Sequence, residues 1–164
     1  MTKELTQDSR GFSLVELIVV IAIMSVVSAG VLMSMSVVTG QNIKSCYAQL
    51  DSNIENARLL AMSKNNVTIK LYAKANGEVY IKLSNATDEV RIGKRGLSVR
   101  YMTNTGVQDA TEAAPLELAF DRSTGAFKPL NGTTDVYCQK IILSDGKRTF
   151  TMRLVPKTGK IYRE

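Results

Sequence analysis

The chain has 164 residues, 45% apolar and 22% charged, which is room for one domain with an appendage and too apolar for global disorder. Histidine is absent and there are two cysteines, which removes most zinc sites, the Ser-His-Asp and Cys-His nucleophiles and any iron–sulfur cluster; no metal or other cofactor is expected. Twenty-one Lys and Arg against fifteen Asp and Glu leave a net charge of +6, which permits an acidic partner without demanding one.

Residues 1–11 (MTKELTQDSRG) form a short polar leader that ends in a sharp polar-to-apolar step at Arg10-Gly11-Phe12. Between Leu17 and Ile43 no residue is charged, and Leu17–Val38 is almost wholly apolar or small. As a helix this run reaches roughly 33 Å, enough to cross a bilayer core of about 30 Å. It is too long for a strand, and the rest of the chain cannot surround it as a core helix. A cleaved secretory signal is excluded by the length of the apolar region and by the lack of an A-x-A site after it. A membrane span over 12–39 is therefore predicted.

One carboxylate, Glu16, stands inside this apolar surrounding, where an unpartnered charge costs about 3 kcal/mol or more. It either stays wet at the interface or finds a partner.

The run Gly11-Phe12-Ser13-Leu14-Val15-Glu16-Leu17, followed by the long span, resembles the class III signal of type IV prepilins and pseudopilins, G|F-[ST]-L-x-E. The resemblance implies cleavage by a prepilin peptidase between Gly11 and Phe12, N-methylation of Phe12, and an assembly role for Glu16. In that role its carboxylate meets the N-terminal amine of a neighbouring subunit, and the two charges neutralise one another in low dielectric. Major subunits of that family often carry a proline midway along the helix; here the first proline is Pro115. Counting Lys and Arg gives no clear orientation, because Lys3 and Arg10 precede the span and Lys44, Arg58 and Lys64 follow it. The resemblance implies a cytoplasmic leader, a C-terminal domain outside the cytoplasmic membrane, and later a periplasmic or extracellular filament.

Past a soft joint at Gly40-Gln41-Asn42, the residues Ile43, Cys46, Tyr47, Leu50, Ile54, Ala57 and Ala61 recur at helical spacing. Lys44, Asp51, Glu55 and Arg58 lie between them. This predicts an amphipathic helix over 40–66 whose stripe is the spine of a head, stopping near Asn65-Asn66. From Val67 the period changes to two. Strands are predicted at Val67–Ala73, Glu78–Leu83, Leu97–Met102, Leu116–Asp121, Gln139–Ser144 and Lys147–Val155, with Gly159–Arg163 as a closing edge strand. Tight corners are expected at Asn76-Gly77 and Asp145-Gly146. The polar stretch Thr103–Pro115 reads as a surface loop.

One long helix followed by an antiparallel β-rich head (67–164) is an α+β chain with the pilin architecture. The turn Phe120-Asp121-Arg122-Ser123-Thr124-Gly125 and the ending Thr158-Gly159-Lys160-Ile161 resemble the FimT/GspH-like group of minor pilins and pseudopilins.

Cys46 and Cys138 are a candidate disulfide; a bridge closing about 92 residues would stabilise by about 4 kcal/mol in the chain-entropy model. Two buried free thiols are the alternative. Near the C-terminus Lys147, Arg148, Arg153, Lys157, Lys160 and Arg163 face a single acid, Glu164. They are candidate contacts to DNA phosphates, with Phe150 and Tyr162 as stacking faces, and some FimT-like pilins are DNA-uptake subunits. The alternative is an edge strand kept charged against edge-to-edge pairing.

Three functions compete for such a chain: a minor pilin or pseudopilin, a DNA-binding pilin, and an ectoenzyme. For the last no nucleophile–base pair can be named, and Asp88/Glu89 reads as loop solvation, so the chain is expected not to be an enzyme. Its expected partners are other pilin subunits, a prepilin peptidase, the membrane and, in the second reading, DNA.

Overall fold

A computed structural model of the chain describes residues 13–63 and 66–164, with the side chains of residues 29–39 outside the description. It divides into two compact units, Met1–Val38 and Thr39–Glu164. Helix α1 is assigned to Leu14–Ser63.

In the first unit, every described side chain of residues 13–28 is exposed, including Leu14, Val15, Ile18, Ile21, Met24 and Val26. Ser25 and Ser28 turn their hydroxyls back onto the carbonyls of Ile21 and Met24, each at 2.7 Å. Satisfied in this way, the two serines fit an apolar helix surface.

The second unit is built on the helical stripe. Ile43, Cys46, Tyr47, Leu50, Ile54, Ala57 and Ala61 are all buried, as the 3-to-4 spacing predicts. Among the described residues nine strands follow it: β1 (Thr68–Ala73), β2 (Val79–Leu83), β3 (Val90–Gly93), β4 (Ser98–Thr103), β5 (Gly106–Asp109), β6 (Leu116–Ala119), β7 (Cys138–Ser144), β8 (Thr149–Val155) and β9 (Lys160–Arg163). They form two antiparallel sheets, one in the order β3-β2-β1-β6 and one in the order β5-β4-β7-β8-β9. With the helix they make an α+β fold of the pilin kind.

Period-two alternation fixes the register. Ile69 pairs with Leu118 and Leu71 with Leu116, all four buried, while Lys70 and Glu117 pair on the other face at 2.5 Å. A slip of one residue would drive that ion pair into the core and the leucines into water. Val99, Tyr101, Ile141, Leu143, Met152 and Leu154 supply the inner face of the second sheet.

The sheets meet through two glycine corners. The Gly77 carbonyl (φ 76° at this residue) accepts the Leu97 N–H at 3.0 Å, and a Cβ on Gly77 would lie 2.6 Å from the Gly96 nitrogen. Only glycine allows that approach with that backbone.

Two parts of the sequence reading are corrected. Thr103–Pro115 is not simply a loop: β5 lies within it, paired to β4 from Arg100↔Asp109 to Thr103↔Gly106, and Ala110 is buried. All four β5 residues are exposed, so there is no inward side chain to produce a period-two signal. Strand β3 was missed for a similar reason, since only Ile92 and Gly93 of its four residues are buried.

Candidate functional site

Two regions carry the residues singled out in the sequence. The first is the N-terminal motif. Gly11 and Phe12, the expected cleavage and methylation positions, lie outside the described residues. Ser13 precedes the helix and accepts the Leu17 N–H at 3.2 Å. Glu16 follows in the first helical turn, exposed, where the helix dipole favours a carboxylate.

Behind Glu16 the exposed side chains are apolar on every face of the helix: Leu17 is 55% exposed, Ile21 56% and Val26 75%. So continuous an apolar surface marks a contact with lipid or with other protein. Among the described residues no helix is long and apolar enough to cross a membrane. The predicted span over 12–39 includes Phe12 and the side chains of 29–39, which fall outside the description.

Residues 6–32 match the family model of the prokaryotic N-terminal methylation motif. The chain carries the class III signal of type IV pilins. No curated protein and no solved structure gave a match.

The second region is the basic C-terminal hairpin. Its six cations are not brought into one cluster. Lys147 and Arg148 stand at the β7–β8 corner, Lys157 and Lys160 around the β8–β9 corner. The seven residues of β8 between them span roughly 20 Å.

The helix meets the two corners at well-separated positions. Arg148 lies over Gly40, where an added Cβ would come within 1.7 Å of its Nη1. At the other corner the Thr158 carbonyl accepts Arg58 Nη2–H at 3.1 Å. Eighteen helical residues separate Gly40 from Arg58, or roughly 27 Å.

Arg163 is taken up by Asp51 at 2.7 Å and lies over the Tyr47 ring. Arg153 is exposed opposite Tyr162, its register partner, while Lys140 beside it pairs with Glu164 at 2.5 Å.

Cys46 and Cys138, the candidate disulfide pair, are both free and buried. Burial pushes each thiol up to about 12. The carboxylates read as loop solvation include Glu89, which instead accepts from the Lys74 ammonium at 2.5 Å and from the Tyr72 hydroxyl. Those hydrogen bonds, from Lys74 first, hold its carboxyl below the usual range.

The sequence reading missed the anchoring role of Arg58. Its Nε–H donates to the Gly125 carbonyl at 3.0 Å while Nη2 holds Thr158, so one guanidinium ties down both turns that suggested the minor-pilin group. The one available signal was an arginine among the polar positions flanking a core stripe, which is ambiguous between solvation and anchoring.

Proposed function

We propose that the chain is a minor pilin or pseudopilin subunit of a type IV pilus-like or type II secretion-like filament. A prepilin peptidase cuts between Gly11 and Phe12, Phe12 is methylated, and the apolar helix first anchors the stored subunit and then packs among neighbouring helices. Glu16 neutralises the amine of an adjacent subunit. The observation that carries this reading is the start of the helix, within the matched segment, where the described side chains are mostly apolar and all exposed, with one carboxylate in the first turn. That surface needs lipid or protein to cover it, and the carboxylate needs a cation once it is covered. The domain scheme that goes with it is a leader at 1–11, an anchor and filament-core helix at 12–39, an amphipathic helical continuation at 40–66 and a β-rich head at 67–164. The paired turns held by Arg58 favour the FimT/GspH-like branch.

The test is intact mass and N-terminal sequencing of the membrane-extracted protein after co-expression with a prepilin peptidase. The expected product begins at methylated Phe12, and Glu16→Ala is expected to be processed normally yet excluded from filaments. A chain that still begins at Met1 beside an active peptidase would overturn the processing, and full incorporation of Glu16→Ala would overturn the role of Glu16.

A second reading, a DNA-binding pilin, has one observation in its favour. Arg153 and Tyr162 are exposed register partners, with Lys160 on the same strand as Tyr162, so a cation and a half-exposed ring sit side by side. Titration of the full chain with duplex DNA at rising salt tests it. Binding through phosphates must weaken steeply with salt, and affinity that holds steady rejects it.

A further inference from the structure

Two corners of the head converge on the first turns of the helix in the second unit. The β3–β4 corner runs along α1 toward its Thr39 end. Gln49 Nε2 donates to the Ile92 carbonyl at 3.5 Å, and a Cβ on Gly93 would lie 3.0 Å from Cys46 Sγ. The Lys94 N–H then donates to Asn42 Oδ1 at 3.0 Å. The β7–β8 corner arrives at the same level: the Phe150 ring is 5.7 Å from that of Tyr47, and the Arg148 guanidinium lies over Gly40.

These contacts place Lys94 and Arg95 from one corner, and Lys147 and Arg148 from the other, around helix residues 40–44, where Lys44 adds a fifth cation. All five side chains are exposed.

The carboxylates bonded in these corners leave the cations free to look outward. Asp145 Oδ1 is turned into its own corner and accepts the backbone N–H groups of Lys147 at 2.9 Å and Arg148 at 2.6 Å. Glu78 is claimed first by Arg91 at 3.1 Å and reaches Arg95 only at 4.0 Å, with the Arg95 side chain 80% exposed.

The position matters as much as the charge. In the sequence the apolar run ends at Val38, two residues before Gly40, so the cations lie where the chain enters the head after its most apolar segment. A ring of exposed point charges there matches a surface of negative headgroups in sign and in place.

We propose that Lys44, Lys94, Arg95, Lys147 and Arg148 form a collar that docks on anionic phospholipid headgroups while the apolar segment is held in a bilayer. This rests on the membrane-anchored reading above. The collar adds an electrostatic contact to the hydrophobic anchor, set by lipid composition and by salt. It also assigns Lys147 and Arg148 to a different surface from Lys157 and Lys160 at the far corner.

The experiment reconstitutes the full chain into vesicles of phosphatidylcholine alone and into vesicles that also contain phosphatidylglycerol, collected by flotation. Lysine acetylation by a membrane-impermeant reagent is then followed residue by residue by mass spectrometry. In the anionic vesicles Lys44, Lys94 and Lys147 are expected to react several-fold more slowly, while Lys157 and Lys160 serve as internal standards and keep their rates. High salt should abolish the difference, because screening shortens the reach of the surface potential.

Flotation with both vesicles but equal lysine rates overturns the collar and leaves the anchor standing. Failure to float with either overturns the anchored reading and the collar with it. Slowing that persists at high salt, or that soluble glycerol phosphate reproduces with phosphatidylcholine vesicles, also overturns the headgroup assignment.

Discussion

Arg58 donates its Nε–H to the carbonyl of Gly125 across 67 residues of sequence, at 3.0 Å. The same guanidinium takes the Thr158 carbonyl at 3.1 Å, so two loops from different parts of the chain are fixed to one helix position. Replacing Arg58 with Met keeps the stem and removes both donors, leaving two carbonyls without their partner. The expected loss is about 1–3 kcal/mol of stability, read from the urea midpoint. Arg58→Lys should recover only part of it, because an ammonium lacks the planar fork that reaches both oxygens.

Glycine at 159 is required for two separable reasons. Its φ is 66°, and a Cβ there would lie 1.9 Å from the Gly125 carbonyl oxygen. Gly146 has a similar φ of 82° with nothing within 4 Å of the added carbon. Gly146→Ala therefore carries only the left-handed backbone cost, about 1–2 kcal/mol. Gly159→Ala should cost at least about 1 kcal/mol more, the order of an overpacked contact. Equal unfolding midpoints for the two variants would contradict the close packing of the two turns.

Asp121 folds its turn through acceptance. The Ser123 hydroxyl at 2.7 Å, the Thr124 hydroxyl at 2.9 Å and the Thr124 N–H at 3.0 Å all converge on Oδ1, and they bring its carboxyl down to about 2 from a usual 3.8. A folded value below the unfolded one means that this carboxylate stabilises the fold above about pH 4. That contribution is lost as the pH falls through about 2. Asp121→Asn is expected to flatten the decline of the melting temperature between those pH values relative to the parent. Parallel curves for the two proteins would show that Asp121 contributes nothing there.

The two thiols are expected to be inert in the folded protein. Burial holds Cys46 and Cys138 at about 12, so almost none of either is thiolate at neutral pH. Alkylation with iodoacetamide at pH 8 should leave both untouched until denaturant is added, after which both react. Rapid native labelling would contradict their burial. Failure to label even when unfolded, together with a mass two hydrogens lighter, would show that the pair is oxidised in the isolated protein.

The helical stripe from Ile43 to Ala61 and the alternation of Ile69/Leu71, Val79/Ile81 and Leu116/Leu118 were legible because each buried side chain recurs at the period of its element. Strands β3 and β5 were not. Gly106–Asp109 is an outer strand held by main-chain bonds to β4, with every side chain in water, so its sequence looks like a polar loop. The six basic residues near the C-terminus looked like one patch because they are close in sequence. A seven-residue strand between two corners sends Lys147 and Arg148 to one end and Lys157 and Lys160 to the other, with Arg153 between them.

By itself, then, the sequence determined the elements whose cause is local. These are the motif around Gly11, Phe12 and Glu16, the unbroken apolar run, the periods of helix and strand, and the Asn-Gly and Asp-Gly corners. Each depends on neighbours within a few residues. The tertiary structure alone decided which distant groups meet: Arg58 with Gly125 and Thr158, Arg148 with Gly40, Lys94 with Asn42. Those pairings depend on how two sheets settle along one helix. A side chain that caps a carbonyl a hundred residues away leaves no period behind it in the sequence.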